Sequence, residues 1–309
     1  MKKETIKFLY AIIIVILSLI VADLSIGYLF DKALNKLPNY GDHLSKNNFR
    51  LYRMDSEIVI LGSSRGAHHY VTSQLKDSLN HFLHKEHSVY NASLDGNFAN
   101  SNSCAAEIIL NRYKPKLVIY DISEGQLKVK SNQSLQSVFY KKDTIVQRYI
   151  DGMGLKNKIL MKSNLFIYNQ TIVRFLSSIA YPKQYDDGYI PVYGSTLDTI
   201  KKQTIKESIS NDLDEYTKTN FENVLKKYSK SNVRLIIVSS PRFRPKDNNI
   251  QLAKICNKYN TPFIDLYDVQ YFNKHPELFK DNVHLNDKGA HVFTALLFEQ
   301  LKPYLANIK

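Results

Sequence analysis

Short apolar segments rich in β-branched residues recur along the chain after residue 55 and predict five β-strands. Their positions are apolar in succession instead of alternating with polar ones, which is typical of parallel strands covered on both faces. The segments are Glu57–Ser63, Val89–Ala92, Lys116–Ile122, Val233–Ser239 and Pro262–Leu266.

Segments with the apolar spacing of helices lie between and after these strands. The alternation of strands and helices predicts an α/β fold in which a parallel sheet lies between two layers of helices. Asn286 or Asp287 is the expected N-cap of the last helix. The predicted helices cover Ser101–Tyr113, Leu213–Tyr228, Lys246–Tyr259 and Lys288–Leu301.

Residues 126–210 interrupt this alternation. They are rich in Tyr, Lys, Ser and Asn, and the pairs Asp151-Gly152 and Asp187-Gly188 are turn signals. The pattern predicts a partly helical insertion over one end of the sheet, within one domain that covers residues 55–309. Insertions of this kind often shape access to a functional site.

The chain begins with an apolar segment typical of a membrane helix. Residues 8–22 carry no charge, and Lys2, Lys3 and Lys7 precede them, which favours a cytoplasmic N-terminus with the remainder outside. The uncharged part alone is short for a bilayer of about 30 Å, so the helix is expected to continue beyond it. We predict a single-pass anchor over residues 1–32 and a linker over residues 33–54.

A cleaved signal peptide is the alternative explanation of this segment, because a lysine-rich start fits both. The region after Ala22 stays apolar and no clear small-residue cleavage motif follows, which favours the anchor. Both alternatives place the rest of the chain outside the cytoplasm.

Composition and charge narrow the classes of partner. The 309 residues are 44% hydrophobic and 23% charged, as in ordinary globular proteins, and the formal net charge is +13. Such a charge favours an anionic partner or surface. Nucleic acid is not an expected partner, since no zinc-finger spacing or RNA-binding aromatic motif is present. Cys104 and Cys256 are predicted to be buried free thiols, with one disulfide as the alternative.

A serine follows the first predicted strand, in the sequence Gly62-Ser63-Ser64. Parallel α/β folds bind ligands at the carboxyl ends of their strands, where the Ser64 hydroxyl would be exposed. The helix that follows would offer backbone N–H groups to a negatively charged oxygen. The alternative interpretation of this short motif is an ordinary turn.

An aspartate and a histidine, Asp281 and His284, lie three positions apart just before the last predicted helix. A serine hydroxyl is a poor nucleophile and needs a base. A histidine serves as that base when a carboxylate holds its other ring nitrogen. The alternative is a surface loop with a capping aspartate and a solvated histidine.

The two motifs together resemble those of the SGNH/GDSL hydrolase superfamily, in a divergent membrane-anchored branch with a Gly-Ser-Ser first block. Ser64 matches the family's nucleophile, and Ser63 stands where the family typically has aspartate. The resemblance implies a flavodoxin-like parallel sheet sandwiched by helices. The closing block, Asp-x-x-His followed by Leu-Asn-x-x-Gly, matches at Asp281, His284, Leu285, Asn286 and Gly289.

The family's second block contains an oxyanion-binding glycine, and Asn91–Gly96 matches its Asn-x-x-x-x-Gly pattern. The resemblance therefore implies that the N–H groups of Ser64 and Gly96 form an oxyanion hole. The third block, Gly-x-Asn-Asp, is not matched by the residues after the third strand. Asn97 or Asn100 is the candidate for the missing side-chain donor.

These features predict an extracytoplasmic serine ester hydrolase or O-acyl transferase with a Ser64–His284–Asp281 triad. The expected substrate is an acylated carbohydrate or a lipid-linked glycan of the cell envelope, and no cofactor is expected. No metal is expected either, because His68 and His69 lack further ligands at useful spacing. The alternatives are a catalytically vestigial envelope assembly or glycan-binding protein, and a small-molecule-binding module.

Overall fold

The computed structural model describes residues 3–34, 36–37, 43–129, 137–169, 171–180, 187–197 and 212–305. Five strands form one sheet in the order β2-β1-β3-β4-β5, and every neighbouring pair is parallel. This is the flavodoxin-like order, in which the chain switches direction between β1 and β3. The strands are β1 (Ile58–Leu61), β2 (Val89–Asn91), β3 (Leu117–Asp121), β4 (Arg234–Ser239) and β5 (Phe263–Asp265).

The sheet is covered by helices on both faces, which confirms the predicted fold. Successive side chains of a strand point to opposite faces. Val59 and Leu61 accordingly pack into one hydrophobic core, and Ile58 and Ile60 pack into the other. The uninterrupted apolar sequence of each strand correctly indicated burial on both faces, because each of the two cores takes apolar side chains from the same strand.

The helices are numbered in chain order. In the part of the chain that precedes β4 they are α1 (Lys3–Leu34), α2 (His43–Tyr52), α3 (Ser64–His69), α4 (Thr72–Leu83), α5 (Ala99–Arg112), α6 (Glu124–Leu127), α7 (Thr144–Asp151), α8 (Leu155–Leu160), α9 (Asn164–Tyr168), α10 (Thr171–Ala180) and α11 (Glu215–Tyr228). After β4 they are α12 (Ile250–Lys258), α13 (Gln270–Lys274) and α14 (Asp287–Leu305).

Helix α1 is long and apolar enough to cross a membrane. Its apolar side chains are exposed along the segment that the sequence predicted as membrane-spanning; Phe8, for example, is 66% exposed and Val21 is 63% exposed. The helix continues past this segment to Leu34, whose side chain is buried against the first core.

The interval 33–54 is not the linker that its polar sequence predicted, because it contains α2. Leu44 and Leu51 of this helix enter the first core. Its polar residues are buried with partners: Arg50 donates to Asn47 Oδ1 at 2.7 Å and to the Ala92 carbonyl at 2.8 Å. Polar composition indicated a solvated segment, but long-range hydrogen bonds satisfy these side chains inside the protein.

The insertion predicted over 126–210 is partly helical in the structure, although residues 130–136, 170, 181–186 and 198–210 lie outside the described ranges. Its helices α7 to α10 pack against α5, α2 and α1, alongside one helix layer. One described part of the insertion runs across the carboxyl end of the sheet. It consists of residues 187–197 and is here termed the strap. The strap's hydrogen bonds join Asp187 to Asn91, Ile190 to Ala67, Val192 to Asp287 and Thr196 to Lys280.

Candidate functional site

Ser64 lies at the carboxyl edge of the sheet, where β1 gives way to α3. The strand ends at Leu61, and α3 begins at Ser64. This position adjoins the switch between β1 and β3, where doubly wound sheets leave a crevice for ligands. The Ser64 side chain is half-buried, so its hydroxyl is held by the fold and still open to a ligand.

Asp281 and His284 lie in the loop that leads into α14. Asn286 caps this helix: its Oδ1 atom accepts from the N–H of Gly289 at 3.0 Å. A Cβ atom on Gly289 would lie 2.1 Å from the carbonyl oxygen of Leu278, so glycine allows the helix to approach that backbone. The Leu-Asn-x-x-Gly pattern therefore fixes where the loop before α14 turns.

The structure brings the three predicted catalytic residues together. His284 Nε2 lies 2.7 Å from Ser64 Oγ, and His284 Nδ1 lies 3.0 Å from Asp281 Oδ2. The carboxylate is an acceptor, so Nδ1 carries the proton and Nε2 offers its lone pair to the serine hydroxyl. This arrangement can move a proton from the serine to the histidine.

The Asp281 carboxylate is held in its ionised form. Burial alone raises its pKa, but the hydrogen bond and charge of His284 and the backbone N–H groups of Val283 and His284 outweigh burial. The pKa of Asp281 consequently falls to about 2. Both backbone hydrogen bonds measure 2.8 Å, so the loop's own amides orient the carboxylate toward the imidazole.

His69 joins the nucleophile helix to the histidine loop, a role that sequence reasoning missed. Its Nε2 atom accepts from the N–H of Leu285 at 2.9 Å, and its Nδ1 atom lies 3.1 Å from Ser240 Oγ. Burial, reinforced by the charge of His284, holds the pKa of His69 well below its ordinary value. His69 is therefore a neutral scaffold, and nothing in the sequence paired it with Leu285.

His68 packs edge-on against the His284 ring, with 5.6 Å between ring centroids. Its Nδ1 atom lies 2.8 Å from the Ile190 carbonyl and its Nε2 atom lies 3.1 Å from Asp95. Two acceptors require two ring protons. Burial lowers the pKa of His68, but the hydrogen bond and charge of Asp95 outweigh burial and raise it. His68 thus links the His284 ring, the strap and the loop after β2.

Gly96 lies in that loop, one residue beyond Asp95. Leu94 N–H donates to the Gly62 carbonyl at 3.1 Å, so the loop runs beside the nucleophile turn. Gly96 has a φ of +68° and is exposed, and a Cβ atom there would meet nothing within 4 Å. The turn favours glycine for its backbone angle, and the role of its N–H toward an oxyanion stays a prediction.

The asparagines considered as side-chain donors are not open to a ligand. Asn97 and Asn100 are both 0% exposed. Asn97 donates to Asn102, and Asn100 accepts from Asn220. The amide that does reach the nucleophile turn is Gln126, which donates to Ser63 Oγ at 2.9 Å.

The residues at the end of β3, where the family has its third block, hold the edge of the sheet beneath Ser64 together through Asp121. Asp121 is fully buried and accepts from the Tyr70 hydroxyl at 2.7 Å and from the Ser240 N–H at 3.1 Å. Arg65, which follows the nucleophile, lies 3.8 Å from Asp121 and donates to the Ser240 carbonyl. Arg65 is only 3% exposed, so it braces the sheet edge.

The strap forms one side of the site and is tied to α2 by a buried lysine. Lys46 Nζ donates to the Gly188 carbonyl at 2.7 Å. Burial, reinforced by the charge of Arg50, lowers the pKa of Lys46 to about 7. An amine donates hydrogen bonds with or without its charge, so the tie between α2 and the strap persists across neutral pH.

Cys104 and Cys256 are free and buried. Burial raises the pKa of the Cys256 thiol to about 12. A thiol held in its protonated form is a poor nucleophile, so this cysteine is a core residue. Among the residues that the structure describes, no three His, Cys, Asp or Glu side chains are grouped so as to hold a metal ion.

The fold and the Ser64–His284–Asp281 geometry together define an α/β protein with a serine-histidine-aspartate site. No family model matches the chain. No curated protein matches it either. Solved structures with which the fold aligns include acylhydrolases and esterases, the kind that the motif resemblance named.

Three of these solved structures illustrate the likeness. A psychrotrophic esterase from Pseudoalteromonas sp. is 13% identical, with 82% of this chain and all of that chain covered and a TM-score of 0.43. The lipase/acylhydrolase from Enterococcus faecalis is 14% identical over 81% of this chain and 97% of its own, with a TM-score of 0.39. A two-domain esterase active on acetylated mannans is 14% identical over 89% of this chain and 55% of its own, with a TM-score of 0.43. At such distances the activity must be argued from this chain's own residues.

Proposed function

We propose that this chain is a serine ester hydrolase or O-acyl transferase that uses Ser64, His284 and Asp281. The observation that carries the proposal is the continuous contact from Ser64 Oγ through the His284 ring to the Asp281 carboxylate, at 2.7 Å and 3.0 Å. A serine that contacts a carboxylate-oriented imidazole is activated for attack on a carbonyl carbon.

The reaction proceeds in two halves. Ser64 Oγ bonds to the ester carbonyl carbon while His284 Nε2 takes the hydroxyl proton. The tetrahedral intermediate then expels the alcohol, which receives that proton, and leaves an acyl group on Ser64. Water or a sugar hydroxyl attacks the acyl group in the second half, with His284 again taking the proton and returning it to Ser64.

The developing oxyanion is stabilised by the backbone N–H groups of Ser64 and Gly96. Donors aimed at the oxyanion position contribute more in a preorganised site than in water. Support for this role comes from the hydrogen bond between the Leu94 N–H and the Gly62 carbonyl, which holds the two loops side by side.

The substrate class follows from location. Helix α1 anchors the chain in a membrane, with the domain outside the cytoplasm, because the lysines precede the apolar segment. Acyl esters on envelope carbohydrates or on lipid-linked glycans are the substrates within reach of such a domain. The formal charge of +13 suits an anionic envelope surface.

A second candidate is a vestigial site that binds glycans without turning them over. The observation that favours it is the burial of Asn97 and Asn100, which removes both candidate asparagine donors from the oxyanion hole. Removing one such donor costs about 10²–10³ in kcat in a related type of site. The two candidate functions therefore differ in whether the protein cleaves the acyl ester that it binds.

The test uses the full-length protein in nanodiscs with an acetylated chromogenic ester and with acetylated glycans. Hydrolysis or transfer by the wild type, its loss in Ser64→Ala and its retention in Ser73→Ala would support the proposal. Ser73 is a matched control because it is exposed and lies on the neighbouring helix α4. Glycan binding without release of acetate would favour the vestigial site.

A further inference from the structure

The second half of α1 is a docking face for the insertion. The Asp23 carboxylate accepts hydrogen bonds from the Ser163 hydroxyl at 2.7 Å, the Leu165 N–H at 2.8 Å and the Asn164 side chain at 3.1 Å. These groups lie at the start of α9. One turn further along α9 and two turns further along α1, Tyr168 and Phe30 stack with ring centroids 5.1 Å apart. Helix α9 therefore runs alongside α1 in the same direction.

This pairing sets the height of the insertion relative to the bilayer. The uncharged segment of α1 ends at Ala22, directly before Asp23. The start of α9 is level with Asp23, and α8 precedes α9 by a short turn. Helix α8 therefore directly precedes the part of the chain that packs on α1 at the end of the uncharged segment.

Exposed apolar side chains concentrate in this region. Among the described residues outside α1, eleven large hydrophobic side chains are exposed, and six of them lie between residues 155 and 176. Apolar exposure concentrated in one stretch of the chain, on the successive helices α8, α9 and α10, indicates an interaction surface. The six, here termed the apolar patch, are Leu155, Ile159, Phe166, Ile172, Val173 and Leu176.

Exposed lysines interleave with the patch. On α8, Leu155 and Ile159 are 72% and 56% exposed and lie four positions apart, so they share one face. Lys156 and Lys158 are exposed on the same helix, and Lys162 follows it. Lysine is depleted in the cores of protein interfaces. It is typical of helices that lie in the headgroup layer of a membrane.

We propose that the apolar patch is a second membrane contact, in which its side chains enter the interfacial layer of an anionic bilayer and the neighbouring lysines bind lipid phosphates. The proposal rests on the membrane anchoring in the proposed function. The occupant is lipid because the start of α9 packs on α1 at Asp23, directly after the apolar segment. With two contacts, the domain cannot swing freely about α1, so Ser64 is held at a fixed height above the membrane surface.

The chain contains no tryptophan, so a single introduced tryptophan reports its own depth. Full-length variants Leu155→Trp, Leu17→Trp and Ile250→Trp are placed in nanodiscs with and without brominated phospholipid, which quenches nearby tryptophan. The three positions are comparably exposed, at 72%, 56% and 57%. Leu17 reports the membrane segment, and Ile250 on α12 is the control away from the patch.

The proposal predicts that brominated lipid removes most of the emission from Leu155→Trp and from Leu17→Trp, and little from Ile250→Trp. Adding Lys156→Glu and Lys158→Glu to Leu155→Trp should reduce the quenching in anionic nanodiscs. Quenching of Leu17→Trp without quenching of Leu155→Trp would overturn the proposal and leave both the anchor and the esterase proposal intact. If neither Leu17→Trp nor Leu155→Trp were quenched, the proposed membrane anchor would be wrong as well. Equal quenching of all three variants would show nonspecific adsorption and would also overturn the proposal.

Discussion

Ser64 Oγ and His284 Nε2 lie 2.7 Å apart although 220 positions separate the two residues in the chain. The sheet brings them together, because Ser64 follows β1 and His284 precedes α14 at the same edge. His69 secures the arrangement: it lies on the helix that Ser64 begins and accepts the N–H of the residue that follows His284. Ser64 and His284 are thus parts of one hydrogen-bonded unit.

Removing either member of this pair should abolish turnover. We expect Ser64→Ala and His284→Ala each to lower kcat on an acetylated chromogenic ester by roughly three or more orders of magnitude, with little further loss in the double variant. Ser73→Ala is the control and should retain wild-type kcat. Losses that simply add in the double variant would show that the two residues do not act as a unit.

Asp281→Asn should lower kcat less than either of those changes, because its role is to orient and stabilise the imidazole. The same variant tests stability against pH. The pKa of Asp281 falls from 3.8 to about 2 on folding, so its stabilisation is present above the unfolded-state value and is lost as pH falls toward about 2. Thermal melting should show the wild type losing Tm relative to Asp281→Asn over this interval. Parallel pH profiles would contradict the assignment.

His69→Phe should separate positioning from bulk stability. Loss of the acceptor leaves the buried Leu285 N–H unpaired, which costs about 1–3 kcal/mol. We also expect kcat to fall while KM changes little, since His284 loses its alignment and substrate binding does not involve His69. His81→Phe is the control, because His81 is exposed on α4. A lower Tm with unchanged kcat would reduce His69 to a structural residue.

Gly96→Ala tests the oxyanion proposal. A Cβ atom meets nothing there, so the structural cost is the φ of +68°, which is about 1–2 kcal/mol for a residue other than glycine. If the Gly96 N–H holds the oxyanion, kcat should fall by about tenfold or more. Gly154→Ala is the control for backbone strain away from the site: Gly154 also has open space around it, and its φ of +119° makes alanine more costly there than at Gly96. A lower Tm without a loss of kcat in Gly96→Ala, as expected for Gly154→Ala, would leave Gly96 as a turn residue only.

Local sequence patterns predicted the strands and the loop before α14, because neighbouring residues determine both. Runs of β-branched residues located all five strands, and the spacing of Asp281 and His284 located the loop before α14. The sequence did not predict α2, because Arg50 looks like a solvated residue until Asn47 and Ala92 are seen to satisfy it.

The residues that hold the site in place could not be predicted from the sequence either. His69 meets Leu285 across 216 positions, and Lys46 meets Gly188 across 142. Such pairs form through tertiary packing, and the spacing of apolar residues along the sequence does not predict them. Resemblance to a family predicted that Ser64 and His284 would meet. The contacts of the buried Asp121 with Tyr70 and Ser240, where the family has its third block, required the structure.

The central claim is that Ser64 is an activated nucleophile, and a fluorophosphonate probe tests it most directly. The probe reacts with serines whose hydroxyl proton is taken by a neighbouring base. Incubation of the full-length protein followed by peptide mapping should locate the phosphonyl group on Ser64, with no label on Ser64→Ala or His284→Ala and full label on Ser73→Ala. Label on a different serine, or label on Ser64 that persists in His284→Ala, would contradict the account.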